Sequence, residues 1–400
     1  MQRVGTICDY VFHFNHKARW SFWKRRGGKS LRGRPDLFIS YKDETAILKN
    51  SSNKFVALII STSLLVLGYV ADDYWILLLS ASIFLTIATW GLNILSGMAG
   101  QISLAHGFFV AVGTYTAAVV GGFSTEFPNK IIGYELDMII WLPLAGIVAA
   151  GVGLIIAPLA VRLKGLNLAL VSIGIVYIGS YILSNLKTVT GGAGLGRKTA
   201  GYTLLGINFK DGLEIGSLFF TKNQVLYYIG LLVALLLGIG VKNILRSKIG
   251  RAYAAIRDRD IAAEAIGINL ARFKASAFAL SSFYAGIAGA LMFSTIGAVD
   301  VERFGLLFSV TFIAIVVIGG VGTVMGPIFG SIFFGLMPGI IKFAIDHSEF
   351  IRDSIPLNAA QIERIIFGLF IVGFLMFEPR GLWGIWFRLR NYFKAWPFSY

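Results

Sequence analysis

Long apolar runs alternate with short polar or charged segments over most of this chain. Ten runs fall at roughly 54–71, 74–95, 102–122, 138–161, 166–186, 224–241, 273–297, 305–321, 327–345 and 361–377, each near the ~20 residues that a helix needs to cross hydrocarbon. The pattern predicts an all-α, polytopic transmembrane helical bundle of about ten spans. Glycine interrupts the third run and the region of the eighth and ninth, so a half-span is expected there. The runs divide the chain into a basic N-terminal arm (1–53), a membrane domain (54–378) and a C-terminal tail (379–400).

One interruption differs from the others. Residues 246–269 are long, charged and rich in helix formers, with Ala252, Ala254, Ala255, Ala262, Ala263 and Ala265 among them. Such a segment belongs on an aqueous face. A short helix is expected over 250–269, with Gly267 suited to end it. Arg251, Arg257, Asp258, Arg259, Asp260 and Glu264 supply polar contact points for another protein. The alternative is a solvated loop whose cations merely set topology.

The chain is 56% hydrophobic and 14% charged, far from the roughly one quarter charged of soluble domains. The net charge of +15 raises a nucleic-acid reading, but the distribution of cations argues against it. With a cytoplasmic N-terminus, ten crossings put 1–54, 162–164, 242–274 and 378–400 on one side. These segments hold most of the 36 Lys and Arg. Asp72, Asp73, Glu126, Glu135 and Asp137 fall opposite. That bias places both termini in the cytoplasm. The inner turns near Gly97 and Gly322 carry no charge and read as buried turns or solvated loops. The arm interleaves aromatics with cations over 10–26, which suits an anionic membrane surface or a disordered basic tail alike. The arm has no apolar core of signal-peptide length.

Glycine recurs every fourth residue at Gly322, Gly326 and Gly330. Small residues at this spacing let helix backbones approach closely in lipid. Other patterns mislead. Gly27, Gly28, Lys29 and Ser30 imitate a phosphate loop, but Trp23 stands where its first glycine belongs. The glycines of 191–196 fit no register of a dinucleotide loop. Cys8, His13 and His16 lack a second metal-ligating cluster. No catalytic residue, metal site or bound cofactor is expected on this chain. No Asp or Glu lies in 74–125, 138–210, 265–299 or 303–345, which counts against a proton-relay carrier. Asn93, Gln101, Ser103, His106 and Asn167 are the polar residues set among apolar ones. The first four are candidates to line a substrate path, with packing against a neighbouring helix the favoured role for His106.

Residues 91–115, GLNILSGMAGQISLAHGFFVAVGTY, resemble the signature of the branched-chain amino acid permease family of bacterial ABC transporters. Residues 250–269, GRAYAAIRDRDIAAEAIGIN, look like that family's cytoplasmic coupling segment. TGGAGL at 190–195 and IGGVGTVMGP at 318–327 fit as well, and the likeness runs in order over about 54–380. Importer permeases often carry Glu-Ala-Ala, three residues, then Gly. Ala262, Ala263 and Gly267 match, but Ile261 stands in the Glu place and Glu264 follows.

The resemblance implies a permease subunit of an ATP-driven importer in the bacterial inner membrane. It implies a related second permease subunit, two ATPase subunits and a periplasmic substrate-binding protein as partners. ATP and Mg would then bind the ATPases, and this chain would be no enzyme by itself. Branched-chain amino acids are the expected cargo, with urea or short amides as the alternative. A self-sufficient carrier or channel would have no need of the segment 246–269.

Overall fold

The computed structural model describes residues 51–126, 130–163, 165–192, 194, 196–215, 218–347, 359–378 and 381–395. The sequence-predicted arm, apart from its last three residues, lies outside them. Helix α1 (Ser51–Val70) leads into α2 (Asp73–Leu92), which a π-helical turn extends over Asn93–Met98. Then come α3 (His106–Gly121), α4 (Met138–Arg162), α5 (Leu166–Asn185) and the one-turn α6 (Lys187–Thr190). Five short strands, β1 (Arg197–Lys198), β2 (Thr203–Leu204), β3 (Ile207–Asn208), β4 (Leu213–Ile215) and β5 (Leu218–Phe220), fill the next loop. Helix α7 (Lys222–Arg246) is followed by α8 (Lys248–Asp258), α9 (Asp260–Ala265) and α10 (Leu270–Ile296). After β6 (Ala298–Val299) and a 3-10 turn come α11 (Leu306–Gly319), α12 (Met325–His347), α13 (Ala359–Phe377) and α14 (Gly381–Ala395).

Every apolar run contains a helix, so the helical-bundle expectation holds. The count of ten does not carry over in full. Among the described residues six helices are long and apolar enough to cross a membrane: Asp73–Met98, Met138–Arg162, Leu166–Asn185, Lys222–Arg246, Leu270–Ile296 and Met325–His347. Four others have shorter apolar stretches, Leu58–Val70, His106–Gly121, Leu306–Gly319 and Arg364–Phe374. The sixteen residues of α3 rise about 24 Å, short of the ~30 Å core. Residues 99–105, counted partly with that span in the sequence, form a turn instead.

Two helices form the centre. The apolar window of α2 is 72% buried and that of α10 is 78% buried, against 28–33% for the other four long helices. Helix α10 packs on α4, α3 and α2, while α2 also meets α12 and α7. The contacts are close because glycine permits them. A Cβ on Gly113 of α3 would strike the backbone of Gly286 in α10, and one on Gly286 would strike Ala145 in α4. Gly335 of α12 lies against Ser82 of α2 in the same way. Lipid offers no hydrophobic drive for helix association, so close packing must supply it.

Helix α2 carries several hydroxyls into this centre. Ser82, Thr86 and Thr89 donate to their own helix, to the carbonyls of Leu78, Ser82 and Leu85, at 2.7–2.8 Å. Thr89 also meets Ser331 of α12 at 3.0 Å. At the opposite end from the π-turn, Asp73 accepts hydrogen bonds from Thr221 (3.0 Å) and Asn223 (2.7 Å), tying the starts of α2 and α7. Thr221 and Gln224 form a capping box there.

The β1–β6 pairing joins Arg197 to Val299 and Lys198 to Ala298. Arg197 is buried and donates to the carbonyls of Val189 (2.6 Å), Ala118 (2.5 Å) and Ile132 (3.2 Å). Burial lowers its pKa to about 10, so it stays cationic at neutral pH.

Close packing at α10 predicts a contrast between two glycines. Gly286→Ala forces a Cβ into α4 and should cost about 1–3 kcal/mol. Gly174→Ala, on α5 with open space around it, should be neutral or slightly stabilising, since Ala is the better helix former. Melting temperatures in detergent check this, and equal values for the two variants refute the packing argument.

Candidate functional site

The site begins at the break in the second helix. At Asn93 the backbone widens into a π-turn, which a 3.0 Å bond from Ala99 N–H to Ile94 carbonyl helps to close. Such turns recur at functional positions. Residues 99–105 then run to the start of α3 without regular structure.

Asn93 is fully buried and uses both ends of its amide. Its Nδ2 donates to the Thr323 carbonyl at 2.7 Å, and its Oδ1 accepts from the Gly322 N–H at 2.8 Å. Trp90 Nε1 donates to the Val324 carbonyl at 2.9 Å. The two glycine-rich turns of similar sequence are therefore held against each other. Gly97 packs on Gly322, which adopts φ 75° in the turn before α12. Gly322 thus stands outside the helix with which its spacing grouped it. Gly326 and Gly330 lie on α12, and a Cβ on either would strike the α11 end, at Gly320 and Ile315 respectively.

Gln101, Ser103 and His106 occupy the far side of the break, all buried. Neither polar atom of the Gln101 side chain has a hydrogen-bond partner among the described residues. Ser103 Oγ accepts from the Ala105 N–H at 3.3 Å, and Ser172 of α5 accepts from the Leu104 N–H at 2.8 Å. His106 Nε2 donates to the Ala88 carbonyl at 2.9 Å, its ring lies edge-on to Phe312, and its Nδ1 is unpartnered. These contacts make His106 a packing group on one side with a spare nitrogen on the other. Ser309 of α11 accepts from the Gly107 N–H at 2.9 Å. Asn167, also singled out, is exposed at the start of α5.

The charged segment lies beside this break. The single helix expected over 250–269 is two, because Arg259 adopts an extended backbone, φ −157° and ψ 107°, between α8 and α9. Gly267 adopts φ 88° just past α9, in keeping with a helix end. Ala252, Tyr253 and Ile256 hold the inner face of α8, and Ser276 shares a 2.8 Å hydrogen bond with Tyr253. Burial raises the Tyr253 pKa. Arg257 reaches across to the break, where Nη1 donates to the Gly97 carbonyl at 3.0 Å. Its side chain also covers Gly100, which adopts φ 67°.

Ala263 is buried at 1% exposure and so faces the bundle, not an outside partner. Arg251, Asp258, Arg259, Ala262 and Glu264 are exposed, and Asp260 is half-buried. The outward face includes two residues the sequence reading passed over. Ile261 and Ile266 are 76% and 75% exposed. The sequence did not single them out, because Ile249, Ile256 and Ile268 lie in the same charged stretch and Ile256 is buried. Lys274, 5% exposed at the start of α10, was also missed. Its position among apolar neighbours gave no sign either.

No group of three or more His, Cys, Asp or Glu could hold a metal among the described residues. Cys8, His13 and His16, which the sequence did not support as a metal site, lie outside them.

A family profile described as branched-chain amino acid transport system / permease component matches residues 74–375. Among curated proteins, the high-affinity branched-chain amino acid transport system permease protein LivM of Salmonella typhimurium is 33% identical over 254 residues. The LivM protein of Escherichia coli matches at the same identity and length. Each match covers 60% of this chain and 57% of the relative, so the chain spans little more than half the length of these proteins. No solved structure matches the chain significantly. The profile takes in α2 through most of α13, including both glycine turns and the segment between them, and the chain accordingly belongs to the family of branched-chain amino acid transport system permease components.

Proposed function

We propose that this chain is a membrane-spanning permease subunit of an ATP-driven importer that carries branched-chain amino acids inward across the bacterial inner membrane. One observation carries the mechanism. The charged segment α8–α9 touches the broken span through Arg257 and turns an apolar face, Ile261 and Ile266, away from the bundle. A segment with one face on the break and the other free is suited to pass movement from a docked partner to the membrane path.

In this reading ATPase subunits, which hold ATP and Mg, grip Ile261, Ala262, Glu264, Ala265 and Ile266. Exposed Arg251, Asp258 and Arg259 add a polar rim. A related permease subunit completes the path, and a periplasmic binding protein supplies the cargo. This chain carries out no hydrolysis itself. Residues 1–53 and 379–400 are cytoplasmic flanks of a 54–378 membrane domain.

Gln101 is the residue most suited to meet cargo at the break. Its amide is buried with its donors and acceptor unspent. A zwitterion leaving water needs such partners. Asn93 instead holds the two turns together, while Ser103 and His106 shape the same wall.

Three expectations follow from this reading. In a background lacking Cys8, cysteine at Lys198 should label from outside the cell and cysteine at Arg259 should not; the reverse pattern overturns the orientation. Ile261→Asp and Ile266→Asp should each weaken ATPase binding about tenfold, the effect of losing roughly 1.4 kcal/mol, without lowering the melting temperature. Ala263→Arg should instead lower the melting temperature, because it places a charge in a packed interior. Pull-down titration with scanning fluorimetry separates these effects, and undiminished binding by both isoleucine variants rejects the docking face. Gln101→Ala should cut uptake several-fold with assembly intact, whereas normal uptake at normal expression removes Gln101 from the path.

A further inference from the structure

A cleft of about 200 Å³ lies between the α8–α9 segment and the broken span. Leu163, Leu168 and Ile256 form its apolar wall. Gln101, Lys274, Arg257, Asp258, Arg259 and Asp260 supply polar groups of both signs. Two of these polar residues are almost wholly withdrawn from water, Gln101 and Lys274, at 5% exposure each. The Gln101 amide brings an N–H₂ and a carbonyl that bond to nothing among the described residues. Buried polar groups in folded proteins are nearly always satisfied, and each exception calls for a reason.

The chemistry of the lining selects among ligands. Cations and carboxylates stand together, which disfavours a plain anion or a plain cation. The volume is below the roughly 300–1,000 Å³ of drug-sized sites and suits a small molecule. An amide that both donates and accepts can serve a carboxylate and an ammonium at once. The apolar wall accommodates a short aliphatic chain.

We propose that this cleft binds a free aliphatic α-amino acid from the cytoplasmic side. Its carboxylate faces Lys274 and the Gln101 N–H₂ group. Its ammonium faces the Gln101 carbonyl and the Asp258 and Asp260 carboxylates. A bound molecule then bridges the docking segment to the broken span, so accumulated product stiffens the joint through which the ATPases act. The inference rests on the importer reading for its sidedness and for the identity of the cargo.

The test uses the full chain in nanodiscs with Cys8→Ser and Leu163→Cys, so that one thiol reports on the cleft. Maleimide labelling is timed with leucine, with 4-methylpentanoate, which lacks the amine, and with 3-methylbutylamine, which lacks the carboxylate. Millimolar leucine should slow labelling several-fold, and the other two compounds should not. Gln101→Leu should abolish the protection. Its fold should persist, because the lost polar atoms bonded to nothing. Lys274→Met should abolish protection too, with Lys274→Arg retaining part of it. The proposal is overturned by no slowing with leucine, by equal slowing with the acid or amine alone, or by full protection in Gln101→Leu. Leucine uptake by cells is scored separately. Protection without uptake keeps the cleft and rejects the importer reading, and uptake without protection does the reverse.

Discussion

The hydrogen bonds of Asn93 are the constraint on which the architecture turns. A helix that breaks within a membrane exposes backbone groups that lipid cannot satisfy. Among the described residues this bundle breaks after Met98 and after Gly319, and it sets the two breaks face to face. One buried amide then satisfies the Gly322 N–H and the Thr323 carbonyl, while Trp90 takes the Val324 carbonyl. Arg257 covers the Gly97 carbonyl from the aqueous side. Removing the Asn93 amide would leave two groups unpaired at once, the Gly322 N–H and the Thr323 carbonyl, each costing about 1–3 kcal/mol.

The contact made by Arg257 turns this constraint into a link between layers. Helix α8 cannot move far from the bundle without uncovering the Gly97 carbonyl and the Gly100 backbone. Any force on the outer face of α9 is therefore felt first at the break, and only then by the long helices. The close glycine contacts around α10 oppose sliding of the core itself. Movement is thereby directed to the two turns, where backbone geometry is already irregular.

Much of this was legible in the sequence, for identifiable reasons. Apolar runs located the helices, because a chain in lipid has few other ways to satisfy its backbone. The uncharged turns near Gly97 and Gly322 were open to either burial or solvation, and the structure buries Gly97 in the contact between them while Gly322 is half-buried. Asn93, Gln101, Ser103 and His106 stood out as polar residues among apolar ones, and all four line or hold the break. What was hidden depended on direction. Periodicity over 250–269 showed helix formers but not the extended residue at Arg259, so it could not reveal that Ala263 faces inward while Ile261 and Ile266 face outward. Gly322 matched a helix-packing spacing, yet its positive φ belongs to a turn. Span length was overestimated at α3 because residues 102–105 are apolar enough to read as helix.

The hydroxyls of α2 bear on how such a chain is made. Helix α2 emerges early, but Ser331, which meets Thr89, is 242 residues further along. During synthesis α2 must enter the bilayer long before that partner exists. Ser82, Thr86 and Thr89 each bond a carbonyl of their own helix, so none presents an unsatisfied hydroxyl to lipid in the interval. These three hydroxyls of the bundle's centre are in this way carried into the membrane already satisfied.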